Sequence, residues 1–159
     1  MKKIYFANAL FSQAELTFNE YVVKKIRNLG KYEVYLPQEN FSINDKTQFA
    51  DSKKIYLADK KELDSSQILV AVLDGLVIDP GVAAEIGMAA QRGMKIYGLI
   101  TDSRKTGYLQ KDDARFELIC NSKAESQFMY FNLFVIGAVK ANGELFDNVD
   151  DLIKELNKQ

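Results

Sequence analysis

The chain has 159 residues, 47% of them apolar and 27% charged, with 21 Lys plus Arg against 22 Asp plus Glu and a net charge of −1. That length suits one domain over residues 1–159, able to bury a core of its own, and the balanced charge speaks against nucleic-acid or anionic-membrane partners. Histidine is absent and Cys120 is the one cysteine, which excludes Ser-His-Asp, Cys-His and His-zinc chemistry, an intrachain disulfide and a cysteine metal cluster.

Lys3–Ala7 reads as the first strand, with Asn8 breaking the apolar stretch too early for a secretion signal. No apolar run approaches the ~20 residues of a spanning helix. With a single unpaired thiol, a cytoplasmic protein is expected. Ser12 and Glu15 form a capping-box pattern ahead of a helix whose apolar positions are Leu16, Tyr21, Val22 and Ile26, ending near Gly30. Glu33–Leu36 is a short strand stopped by Pro37, and residues 38–50 read as an irregular, mobile loop. A charged helix follows over Asp51–Ser66, with Ile55, Ala58 and Leu63 facing inward.

Ile68–Leu73 (ILVAVL) has no alternation, as a central strand buried on both faces would not. Asp79-Pro80-Gly81 opens a helix running to about Arg92, since Asp caps well and Pro fits the first turn. Lys95–Ile100 is a strand, Asn132–Ala138 reads as a fifth, and Val149–Leu156 as a closing helix. Strands alternating with helices predict an α/β fold: a single flavodoxin-like, doubly wound, five-stranded and mostly parallel sheet with helices on both faces. Ligands then bind beyond the C-terminal strand ends, near the switch in strand order.

Glu85 is the most informative residue. It sits on a helix of small and apolar residues, Val82 to Ala90, where a sparsely solvated carboxylate is costly unless protonated, paired or used. Its side chain tilts toward position i−4, which is Gly81 and leaves room for a ligand, while Ala89 at i+4 offers no ion pair. Asp79 suits either an N-cap or a ligand contact. Asp59, in a charged helix, reads first as a solvated acid, and Tyr5, between Ile4 and Phe6, reads first as core. Carboxylates working without histidine fit glycosyl transfer, in which one carboxylate attacks the anomeric carbon as the leaving group departs. Neither G-x-G-x-x-G nor a P-loop pattern is present, and no metal or cofactor is expected.

Four blocks in order then carry a resemblance. They are Ile4-Tyr5-Phe6-Ala7-Asn8-Ala9-Leu10-Phe11, Asp59 ahead of Gln67-Ile68, the D-x-G-x-x-x-E-x-G run from Asp79 to Gly87, and Asn132-Leu133-Phe134. Together they cover most of the chain and resemble the nucleoside 2-deoxyribosyltransferase family. The resemblance implies Glu85 as the nucleophile forming a covalent deoxyribosyl-enzyme, with Tyr5 orienting it. It implies Asp79 on the sugar hydroxyls, Asp59 at the base assisting proton transfer, and Phe11 stacking on the base. Asn132, in a block with Phe134 that reaches into a neighbouring subunit's site, would bind the 5′-hydroxyl. The expected partners are therefore 2′-deoxynucleosides, free nucleobases and further copies of the chain in a homo-oligomer. Two departures stand out. Ala7-Asn8-Ala9 replaces the family's Ala-Gly-Pro turn, and no base-contacting Gln is evident after Pro37, leaving Gln38, Asn40 or Phe41 for that place. The alternatives are an N-glycosidase hydrolysing deoxynucleosides or their 5′-monophosphates, for which Ser12 and Arg104 are the residues to watch, and a non-catalytic nucleotide-binding module.

Overall fold

The computed structural model describes residues 1–45, 47, 49–102 and 131–159, so Arg104 and Cys120 lie outside the described residues. Its five strands are β1 (Lys2–Ala7), β2 (Tyr32–Tyr35), β3 (Ile68–Val72), β4 (Lys95–Leu99) and β5 (Gly143–Phe146). They form one sheet in the order β2-β1-β3-β4-β5, every pair parallel. The chain steps outward from β1 to β2 on one side and from β3 to β5 on the other. The switch point therefore lies between β1 and β3, where their C-terminal loops part.

Parallel strands need covering on both faces, and the two helical layers supply it. On one face α1 (Gln13–Arg27) and α6 (Val149–Lys158) bury Val22, Val23, Ile26, Leu152 and Leu156 against Ile4, Phe6, Val70 and Leu99. On the other, α3 (Ser52–Ser65), α4 (Pro80–Gln91) and α5 (Leu133–Asn142) set Leu63, Val82, Ile86, Ile136 and Val139 on Tyr5, Leu69, Ala71 and Ile96. All five residues of β3 are buried, as its unbroken apolar run predicts. No helix among the described residues is long and apolar enough to cross a membrane.

The helix starts follow their capping residues. Glu15 N–H donates to Ser12 Oγ (3.2 Å) while Glu15 Oε2 accepts from Ser12 N (2.7 Å), the reciprocal box the sequence predicts. Asp79 Oδ1 accepts from Gly81 N (2.8 Å) and Val82 N (3.1 Å) to open α4. The first helix ends at Arg27, and Gly30 follows at φ 68°, the left-handed conformation glycine adopts without a Cβ penalty.

Three expectations are corrected. Residues 132–138 are not a strand: Asn132 caps α5, and Ile136 and Val139, three apart, turn inward on one helical face. The apolar run there is short and rich in β-branched residues, so its composition resembled a strand while its spacing served a helix. The fifth strand is instead Gly143–Phe146. The 38–50 segment is not irregular throughout: a 3-10 turn (Pro37–Glu39) and a short helix, α2 (Phe41–Asn44), take up its first part. Arg27 clamps that turn with two bonds to the Glu39 carboxylate (2.8 and 2.6 Å), and Asn44 Nδ2 donates to the Pro37 carbonyl (2.7 Å). Tyr21 is exposed rather than inward, and the buried face of α1 includes Asn19 instead.

Gly143 lets β5 run against β4: a Cβ there would stand 1.6 Å from the Ile96 carbonyl oxygen. Gly137, exposed on α5, meets nothing within 4 Å. Gly143→Ala is expected to cost about 3 kcal/mol or more, because the obstacle is backbone. Gly137→Ala is expected to be neutral or to gain up to about 1 kcal/mol through helix propensity. Urea unfolding of the two variants beside the parent checks both, and equal midpoints would contradict the close β4–β5 approach.

Candidate active site

Side chains on the inward stripe of α4 recur at Val82, Glu85, Ile86 and Ala89, and Glu85 is the one polar member. It leans over β1, where Tyr5, fully buried in the sheet, donates its hydroxyl to Glu85 Oε1 at 2.5 Å. Tyr5 is thus both core and site residue. Burial pushes the Glu85 carboxyl up to about 7, with Asp59 and Asp79 adding repulsion and the Tyr5 hydroxyl opposing the shift. The Tyr5 phenol is pushed well above its ordinary value, first by burial and then by the facing carboxylates, so it stays a proton donor.

Asp59 occupies the adjoining position. It lies on α3 and is half-buried, accepting from the Tyr35 hydroxyl at 2.8 Å. Burial raises its pKa and the Tyr35 bond opposes that, so it is not the solvated helix acid its neighbours suggest. Tyr35 ends β2 in register with Tyr5, and the two rings lie 5.3 Å apart. In turn Tyr35 accepts from Asn40 Nδ2 at 3.0 Å. Sequence reasoning missed Tyr35. Its signal was available in the period of two that puts one ring per strand on the same face of a parallel pair.

Across the switch point, between the β1–α1 and β3–α4 loops, opens a cavity of about 530 Å³ lined by Asn8, Ala9, Phe11, Asp74, Ile78 and Asp79 among others. Phe11 stands on its rim, 76% exposed. The turn that replaces Ala-Gly-Pro is held by amides. Asn8 Nδ2 donates to Asn19 Oδ1 (2.7 Å), and Asn19 Nδ2 donates to the Ala9 carbonyl (3.1 Å) and to Gln38 Oε1 (2.8 Å). Gln38 is therefore committed to the scaffold. Asp74, at the end of β3, accepts from Thr101 N (2.6 Å), Asp102 N (3.0 Å) and the Thr101 hydroxyl, tying the β3 and β4 ends together.

Asp79 caps α4 and also faces Glu85 electrostatically, so the two readings of it are compatible. Gly81 is exposed, and a Cβ there would come within 2.9 Å of Asp79 Oδ1, so the glycine protects the cap. Asn132 spends Oδ1 capping α5, accepting from Phe134 N (3.0 Å) and Val135 N (3.3 Å), and Phe134 is 88% exposed. Neither residue hydrogen-bonds to Tyr5, Asp59, Asp79 or Glu85 among the described residues. Among those residues no cluster of carboxylates or sulfur ligands is grouped to hold a metal ion. The arrangement is a partly desolvated carboxylate steered by a phenol, with a second phenol-bound acid beside it; the cavity at the strand ends is lined by Phe11 and Asp79 but not by Tyr5, Asp59 or Glu85.

Comparison with known proteins places the fold. A conserved protein from Enterococcus faecalis V583 is 47% identical, with a TM-score of 0.81 over 99% of this chain and 98% of that one. A 2-desoxiribosyltransferase from Leishmania mexicana superposes at a TM-score of 0.68 with 17% identity, covering 100% and 99%. A CMP N-glycosidase from Clostridium botulinum does so at 0.53 with 15% identity, covering 99% and 98%. At such identities the last two likenesses concern the fold. No curated protein gives a significant match. The sequence profile of nucleoside 2-deoxyribosyltransferases matches residues 4–151, and the chain belongs to that family.

Proposed function

We propose that the protein is a nucleoside 2-deoxyribosyltransferase working by two displacements at C1′, in one cytoplasmic domain that assembles into a homo-oligomer. The observation that carries this reading is the Glu85 carboxylate, desolvated on an apolar helix face and aimed by the Tyr5 hydroxyl at 2.5 Å. In the first displacement a Glu85 oxygen forms the bond to C1′ while the C1′–N bond breaks and its electron pair leaves with the base. Asp59 gives that base a proton. In the second, the acceptor base returns a proton to Asp59, its nitrogen pair attacks C1′, and the C1′–O pair returns to the Glu85 carboxylate. Tyr5 holds one oxygen of Glu85 so that the other faces the sugar. Asp79 binds sugar hydroxyls, Gly81 keeps their approach open, and Phe11 offers a stacking face to the base. Asn132 binds the 5′-hydroxyl of the sugar in a neighbouring subunit's site, with Phe134, 88% exposed at the start of α5, beside it in the same block.

The runner-up is an N-glycosidase hydrolysing deoxynucleosides or their 5′-monophosphates, which would share the Glu85 nucleophile and differ in letting water reach the glycosyl-enzyme.

Incubation with thymidine or 2′-deoxyinosine plus a second free base, followed by chromatography, is expected to yield a new deoxynucleoside. Free deoxyribose alone would overturn transfer in favour of hydrolysis. Glu85→Gln is expected to lower exchange by roughly a thousandfold or more while the fold persists.

Ionising Glu85 also costs stability. Its folded pKa lies above the ordinary carboxylate value, so its contribution is fully present below about 4.5 and is lost as pH rises through about 7. Glu85→Gln, neutral throughout, is therefore expected to gain on the parent by at most about 3 kcal/mol between pH 5 and pH 8.5. Thermal unfolding across that range measures the difference, and parallel curves would show an ordinary, solvated carboxylate.

A further inference from the structure

The β1–β2 register lays two phenols side by side, and each takes a different carboxylate: Tyr5 bonds Glu85, and Tyr35 bonds Asp59. The second pair has an extra member. Asn40 Nδ2 donates to the Tyr35 oxygen at 3.0 Å, and Asn40 Oδ1 accepts from the Ser42 hydroxyl at 2.6 Å. An amide N–H aimed at a phenol oxygen leaves that phenol its O–H to give, and the acceptor in line is Asp59 Oδ1. Direction in the relay is thus set from outside, running from residues 40–42 through Tyr35 to Asp59.

We propose that Tyr35 is a positioning residue for the acid step, with Asn40 fixing the direction of its hydrogen bond. This rests on the reading of Asp59 as the group that passes a proton to and from the base. A donor held on Oδ1 leaves Oδ2 to exchange the proton with the base, and it stabilises the carboxylate that remains once the proton has gone. The benefit is specific to leaving groups that need a proton. Formation of the Glu85–C1′ bond does not draw on it. The other groups facing Asp59 are acidic or neutral: Glu62 on its own helix, Tyr5 on β1 and Glu85 on α4. Tyr35 is therefore the proton donor that offsets a negative surrounding. Its placement at the mouth of β2 also explains why residues 37–44 are folded: the turn that carries Asn40 must be held still for the relay to keep its direction.

The test compares each parent substrate with a counterpart whose base leaves with less need of a proton. The pairs are 2′-deoxyguanosine with 7-methyl-2′-deoxyguanosine, and 2′-deoxyuridine with 5-fluoro-2′-deoxyuridine, at one pH near 6. Tyr35→Phe keeps the ring against Tyr5 and removes only the hydroxyl. Its kcat on the parent substrate is expected to fall roughly tenfold, with kcat on the activated substrate changed less than about twofold and KM little altered. An unchanged ratio, or equal losses on both substrates, would overturn the proposal. If Tyr35→Phe does not fold, Asn40→Ala, which removes the donor behind the phenol, carries the same comparison. Glu85→Gln is run alongside and is expected to lose both substrates. A wild-type enzyme that turns over none of the four, or a Glu85→Gln enzyme that keeps its rate, would refute the transfer reading itself, whatever Tyr35→Phe does.

Discussion

The hydrogen bond from Tyr5 to Glu85 is the constraint from which the site follows. A carboxylate turned toward an apolar sheet loses hydration worth several kcal/mol and must recover it from a fixed donor. In this fold the donor comes from a strand and the acceptor from a helix 80 residues later in the chain. The contact closes only if β1, β3 and α4 are all in place. Tyr5 can serve because strand side chains alternate: Ile4 and Phe6 enter the core beneath α1 and α6, while Tyr5 points to the opposite layer, beneath α4.

In the proposed reaction the same geometry divides labour between two acids. Glu85 and Asp59 both carry pKa values raised by burial, and each is held by its own tyrosine. Two carboxylates close together cannot both ionise cheaply, and a double displacement needs one as an anion and the other as a proton carrier. Separate phenols on adjacent strands give each a distinct environment. The loops at the switch point border a cavity that Asp79 and Phe11 also line. The amide network of Asn8, Asn19 and Gln38 fixes the loop bearing Phe11, and Asp74 fixes the ends of β3 and β4.

Much of this was legible in the sequence because it was written in local chemistry. Ser12 with Glu15 and Asp79 ahead of Pro80 announce helix starts through side chains that satisfy nearby amides. The run Ile68–Val72 announces a central strand by lacking a polar face. Glu85 stood out because a charge on an apolar stripe needs a reason. What escaped depended on long-range partners. The run at 132–138 carries a strand's composition, and its packing against α4 decides for a helix. Residues 37–44 look irregular until Arg27 and Asn19, from α1, are seen to hold them. Asn19 is 1% exposed on α1, where three polar partners meet it inside. Tyr35 is brought beside Tyr5 and Asp59 only once strand register is known.

The central claim is that Glu85 bonds covalently to the sugar. A 2′-deoxy-2′-fluoro nucleoside tests it most directly, because the fluorine slows release of the glycosyl group by destabilising the cation-like transition state. After incubation, digestion and mass spectrometry should find the fluorinated sugar on the peptide containing Glu85 and on that side chain. Label on a different residue, or an unlabelled protein that still exchanges bases, would contradict the account.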